Sequence, residues 1–135
     1  MEREDGIFRE NFDAIVGLAY PNFAEQGVTP MFDNMIKQKL LQDNLFAFFL
    51  TSKMDEEMEG LDSELTFGYY DKSKYTGDMV WHPILHKLMF GIQLDDIKVN
   101  GTALNICNDK SASNPCLITV DSGTSEMTMP SWAIN

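Results

Sequence analysis

The chain has 135 residues, 44% of them hydrophobic, which is enough for one small domain with a modest core and excludes disorder by composition. Twenty-one acidic against ten basic residues give a formal net charge of −11, which argues against nucleic acid or an anionic membrane surface as a partner. The same balance suits a protein that works at low pH, because carboxylates titrate at about pH 4, and it equally suits a well-solvated acidic surface.

No run approaches the ~20 apolar residues needed to span a bilayer, so no membrane span is expected. Met1-Glu2-Arg3-Glu4-Asp5 opens a charged segment with no signal-peptide core behind it. Any targeting signal is therefore expected elsewhere, and the chain is expected to be part of a longer one. Residues 1–11 read as a polar edge strand or loop. Within residues 12–20, Ile15, Val16, Gly17, Leu18 and Ala19 form a nearly continuous apolar run that predicts a buried strand, with Gly17 allowing close backbone approach.

A helix should follow. Thr29 can cap it, Pro30 fits its first position, and Met31, Phe32, Met35, Ile36 and Leu40 recur on one face, with Lys37 and Lys39 toward the end favoured by the helix dipole. This Met-rich stripe reads as core, not as a cofactor box. Residues 45–51 and 64–68 read as strands flanking an acidic connection over 53–62, a solvated hairpin tip that lacks the glycine and ligand spacing of a calcium loop. Gly68-Tyr69-Tyr70-Asp71 marks a turn. Beyond it, residues 79–85 and 90–99 read as strands, and Asn100-Gly101 is a strong two-residue hairpin signal leading into 102–106.

Asn100-Gly101-Thr102 is also an N-glycosylation sequon, usable only on passage through the secretory pathway. His82 and His86 are four residues apart, but Pro83 breaks any helix between them, so they read as structural or surface residues. Cys107 and Cys116 bracket eight residues rich in Ser, Asn and Asp and could be a bridge or two reduced thiols. A zinc site would need about four ligands, and these two lack Cys or His neighbours. No metal and no cofactor is expected.

Leu117-Ile118-Thr119-Val120 then delivers Asp121 onto Ser122-Gly123-Thr124-Ser125. Four β-favouring residues lead an acid out of a buried strand into a turn of small, hydroxylated residues. Gly123 lets the backbone fold back so that its amide nears the carboxylate, and Ser122 and Thr124 offer hydroxyls that can hold its orientation. This stretch reads as a site.

Asp121-Ser122-Gly123-Thr124-Ser125 after an apolar strand resembles the second active-site motif of the pepsin-like (family A1) aspartic proteases. Further segments resemble that family in its order: Phe12-Asp13-Ala14-Ile15-Val16-Gly17-Leu18-Ala19-Tyr20-Pro21, Val28-Thr29-Pro30-Met31-Phe32-Asp33-Asn34-Met35, Leu45-Phe46-Ala47-Phe48-Phe49-Leu50, Tyr75-Thr76-Gly77-Asp78 with Trp81 and Pro83, and Ile92-Gln93-Leu94-Asp95-Asp96-Ile97. Residues 12–132 are covered almost continuously.

The resemblance implies a mainly β, bilobal acid protease fold of which this chain is a part. Residues 1–70 would be the end of the N-terminal lobe with the inter-lobe strands, residues 71–135 a truncated C-terminal lobe, and the lobe boundary would fall near 68–76. Tyr69 stands where the family usually has a second glycine. The resemblance also implies a Cys107–Cys116 disulfide and a secretory-pathway protein, lysosomal, vacuolar or secreted. By the same resemblance Asp121 is the acid of the second lobe, Ser122 (commonly threonine) the hydroxyl that locks the two active-site loops, Gly123 and Thr124 the support of the carboxylate, and Ser125 a border of the substrate cleft. Glu126 and Met129 depart from the residues usual there. Ile15-Val16-Gly17 resembles the partner of a first acid loop that lies outside this sequence.

Hydrolysing a peptide without a metal or covalent nucleophile requires one group that takes a proton from water and another that gives one to the carbonyl oxygen. A single carboxylate cannot do both. Two carboxyls in contact can, because the pair does not readily hold two negative charges and keeps a shared proton; the aspartic protease dyad is the standard instance. No second Asp-Ser/Thr-Gly occurs in the 135 residues. The expected function is therefore that of an aspartic endopeptidase cutting peptides or proteins at acidic pH, between bulky apolar residues. The missing N-terminal lobe of the same parent supplies the other acid, and this chain alone is inactive.

Two other readings differ in class or architecture. A homodimeric retroviral-type protease would carry its acid near the start of the chain, whereas only fourteen residues follow Asp121 here. A non-catalytic pepsin-like binding protein would need only the fold, and the intact Asp-Ser-Gly-Thr-Ser disfavours it.

Overall fold

The computed structural model describes residues 14–108, 111 and 114–133. Those residues form three two-stranded antiparallel ladders, two short α-helices and four single-turn 3-10 helices. The expected lead-in over residues 1–11, and Phe12 and Asp13 of the first apolar segment, lie outside the described residues.

The N-terminal part gathers around aromatic rings. Helix α1 (Met31–Lys37) sets Phe32 edge-on to Phe46, ring centroids 5.1 Å apart, and 6.2 Å from Phe67. Phe46 opens strand β1 (Phe46–Phe49) and lies opposite Phe67 at the end of β2 (Glu64–Phe67). Phe90 closes the cluster, 5.5 Å from Phe46 and 4.7 Å from Tyr20. Edge-to-face and tilted pairs of this kind add to the apolar area they bury. At the end of the hairpin Gly68 takes φ +86°, and Thr66, 8% exposed, donates its hydroxyl to the Tyr69 carbonyl at 2.8 Å.

Several expectations are corrected. Residues 14–18 form no strand, and Ile15 is 68% exposed, because no chain among the described residues offers the backbone partners that a strand needs. Thr29 does not cap α1: Pro30 occupies the cap position without a side-chain bond, and the Asn34 side-chain nitrogen donates to the Thr29 carbonyl at 3.3 Å. The helix stops at Lys37, and Lys39 turns the chain at φ +55°, so Leu40 leaves the core face and is exposed. The acidic connection is not a bare hairpin tip. Its Lys, Met and Glu residues are good helix formers and make helix α2 (Lys53–Glu59), ended by Gly60 at φ +64°.

Residues 79–85 form no strand, since Pro83 cannot donate to a ladder. The chain instead makes a tight turn in which the Leu85 amide donates to the Gly91 carbonyl at 2.8 Å. A Cβ on Gly91 would sit 2.8 Å from that of His86, so the close approach requires glycine. The predicted strand 90–99 is split into β3 (Gly91–Gln93) and β4 (Lys98–Val99). Between them the Asp96 carboxylate accepts from the amides of Ile97 (2.9 Å), Asn105 (3.0 Å) and Ile106 (3.1 Å) and bends the chain there.

The Asn100-Gly101 hairpin forms as expected. Strand β4 pairs with β5 (Thr102–Ala103), and Asn100 and Gly101 take φ +50° and +82°, the mirror-image turn that a two-residue hairpin favours. Cys107 and Cys116 are bonded, S–S 2.03 Å, and Cys107 is 5% exposed. Strand β6 (Leu117–Thr119) then runs antiparallel to β3, Ile92 opposite Ile118.

Candidate active site

Strand β6 is what brings the acid to its place. Its register on β3 is fixed at one end by Gly91 opposite Thr119 and beyond the other by the Leu94 amide donating to the Cys116 carbonyl at 2.8 Å. The disulfide pins Cys116 to the end of the segment that follows the β4–β5 hairpin. After Thr119 the ladder ends. Val120, 70% exposed, and Asp121 step out of it, so the carboxylate leaves a strand that is only partly covered, not the buried strand expected from its β-favouring residues.

The turn Asp121–Thr124 folds back on the carboxylate. The Gly123 amide donates to Oδ1 of Asp121 at 2.9 Å, and the Thr124 hydroxyl donates to Oδ2 at 2.6 Å. A Cβ on Gly123 would come within 3.2 Å of that Oδ1, so a side chain there would press on the acid. The Thr124 hydroxyl, and after it the Gly123 amide, hold the Asp121 carboxyl below the usual aspartate range, since both bonds favour the charged form. Ser122 lies in the same turn, but its hydroxyl is not one of the donors to the carboxylate.

Asp121, Thr124 and Ser125 line one open cavity of about 820 Å³. Its apolar lining includes Leu94, Ile97 and Ile106 from the β3–β5 region and Trp132. Asp121 and Glu126 both border it. The arrangement offers one oriented, ionised acceptor facing a groove that takes apolar groups. Reading the sequence missed two contributors. Asp96, whose clasp holds the hairpin that carries Ile97 and Ile106, is signalled only by an acid at a strand break. Trp132 carries no pattern that points to the cavity. His82 and His86 are exposed and do not border it, as expected of surface residues.

A model of the eukaryotic aspartyl protease family matches residues 1–135. The chain belongs to the eukaryotic aspartyl protease family. Its fold is the mainly β, pepsin-like one, of which these residues form a part. Among similar proteins, cathepsin E of Oryctolagus cuniculus is 41% identical over 120 residues, covering 89% of this chain and 28% of that protein. Pepsin A of Suncus murinus is 39% identical over 128 residues, 95% of this chain and 30% of that protein. A pregnancy-associated glycoprotein of Equus caballus is 38% identical over 135 residues, 99% of this chain and 32% of that protein. The aspartyl protease chain thus spans less than a third of the length of these relatives. Among its described residues no helix is long and apolar enough to cross a membrane.

Proposed function

We propose that the protein of which this chain is a part is an aspartic endopeptidase that hydrolyses peptide bonds at acidic pH. Asp121 is one of its two catalytic carboxyls. The observation that carries this reading is the Asp121 carboxylate held by Gly123 and Thr124 in the lining of a groove of about 820 Å³ that is more apolar than polar. On its own such a carboxylate is ionised at neutral pH and can only accept a proton. A second carboxyl brought against it raises the cost of holding two charges, so that one proton is shared, which supplies the acid to match the base.

The partner carboxyl comes from the N-terminal lobe of the same parent, outside these 135 residues. Ser122, which leaves the Asp121 carboxylate alone, is free to bond across to that second loop. Ser125 borders the substrate, and the apolar lining residues Leu94, Ile97, Ile106 and Trp132 favour bulky apolar side chains beside the scissile bond. Residues 1–70 belong with the N-terminal lobe and residues 71–135 with the C-terminal lobe. The disulfide fits a protein of the secretory pathway, lysosomal, vacuolar or secreted.

The test compares two purified proteins on an unfolded protein substrate at acidic pH. The full-length parent should cleave it and lose all turnover on Asp121→Asn, while the 135-residue chain should not cleave it at all. Turnover by the short chain, abolished by Asp121→Ala, would instead favour a homodimer in which each copy gives one acid. A folded parent with no turnover would favour a binding protein.

A further inference from the structure

We infer that Asn100 carries an N-linked glycan, and that the β4–β5 hairpin is the presenting platform for it. Asn100-Gly101-Thr102 is the one Asn-X-Ser/Thr triplet in the 135 residues in which X is not proline. Sequons are common by chance, so the sequence alone says little; the structure adds where this one sits. Asn100 and Gly101 are the two turn residues of the hairpin, both at positive φ, and Asn100, Gly101 and Thr102 are all exposed. A Cβ placed on Gly101 would meet nothing within 4 Å, so the tip stands in open space where a branched sugar meets no protein wall.

The hairpin is held by the ladder that pairs Lys98 with Ala103 and Val99 with Thr102 and by bonds at its base, and none of the hydrogen bonds that hold it uses the Asn100 side chain. The Asp96 carboxylate binds the amides of Asn105 and Ile106, and the Leu104 amide donates to the Ile97 carbonyl at 2.8 Å. A bulky group on Asn100 therefore strains none of the bonds that fix the turn. Ile97 and Ile106, at that base, line the groove beside Asp121, while Asn100, Gly101 and Thr102 do not. The glycan leaves the groove open.

In the transfer, the side-chain nitrogen of Asn100 attacks the anomeric carbon of a lipid-pyrophosphate-linked oligosaccharide. The carbon–oxygen bond to the pyrophosphate breaks, the carbon–nitrogen bond forms, and the amide gives up one proton. The inference depends on the secretory-pathway part of the proposed function and not on proteolysis.

The test expresses the full-length parent in a eukaryotic host and follows the peptide containing residue 100 by mass spectrometry, before and after enzymatic glycan release. The native protein should carry the glycan at Asn100. Thr102→Ala, which keeps the Asn-Gly turn, should abolish it, Thr102→Ser should retain it, and Asn100→Gln should abolish it without loss of peptidase activity. A secreted parent with the Cys107–Cys116 bond formed but residue 100 unsubstituted would overturn the inference and leave the protease reading standing. A parent retained in the cytosol with both cysteines reduced would overturn the inference and the secretory reading together.

Discussion

The Asp121 carboxylate owes its state to two donors, and each can be removed separately. Thr124→Val deletes the hydroxyl that contributes most to lowering the Asp121 pKa, so that pKa should rise toward the ordinary aspartate value, read by NMR titration of the side-chain carboxyl. The sign follows from a folded-state pKa that is depressed. The stabilisation from these bonds is fully present above the unfolded-state pKa and is lost as pH falls through the lowered folded value. Gly123→Ala acts differently, because the new methyl crowds Oδ1 from 3.2 Å. It should lower the turnover of the parent more than its substrate binding. Both donors were legible in the sequence, since small and hydroxylated residues after an acid have few other uses. The Ser122 hydroxyl was legible only as a nearby donor, and a nearby donor need not point inward.

Elements were legible where local rules decide them. The Asn100-Gly101 turn, strands β1 and β2 and the position of α1 follow from turn chemistry, β-favouring residues and helical spacing, each read from a short local stretch. Strand predictions failed where a partner was needed. The apolar run around Ile15 has the composition of a strand but no neighbour to bond among the described residues, and residues 79–85 carry a proline where a ladder needs a donor. Two element-scale outcomes are expected. Asp96→Asn should release the hairpin base, costing about 1–3 kcal/mol of local stability and speeding hydrogen exchange at the Asn105 and Ile106 amides. Replacing Cys107 and Cys116 by Ser removes a closure over a sequence separation of 9, worth about 2–3 kcal/mol in the loop-entropy model, and should loosen the β3–β6 ladder measured in the same way.

At the scale of the whole molecule, large apolar side chains stay exposed among the described residues, Val80 by 72% and Leu50 by 70%. Among the described residues Cys107 is the one buried hydrophobic side chain, and each ladder has only two strands. Pairs of strands are marginal by themselves and leave unpaired edges. The isolated 135-residue chain should therefore unfold over a broad thermal range and bind an apolar dye strongly at neutral pH; a sharp, monomeric transition with no dye binding would refute this. Composition could not reveal it, because 44% hydrophobic content is ordinary and says nothing of which partners those residues meet. The bonds that aim Asp121 come from residues only two and three positions along the chain. Its direction is thus inherited from a handful of consecutive residues and survives whatever becomes of distant strands. A truncated or misassembled parent would still display a properly pointed acid, and its failure would lie in never bringing the two halves together.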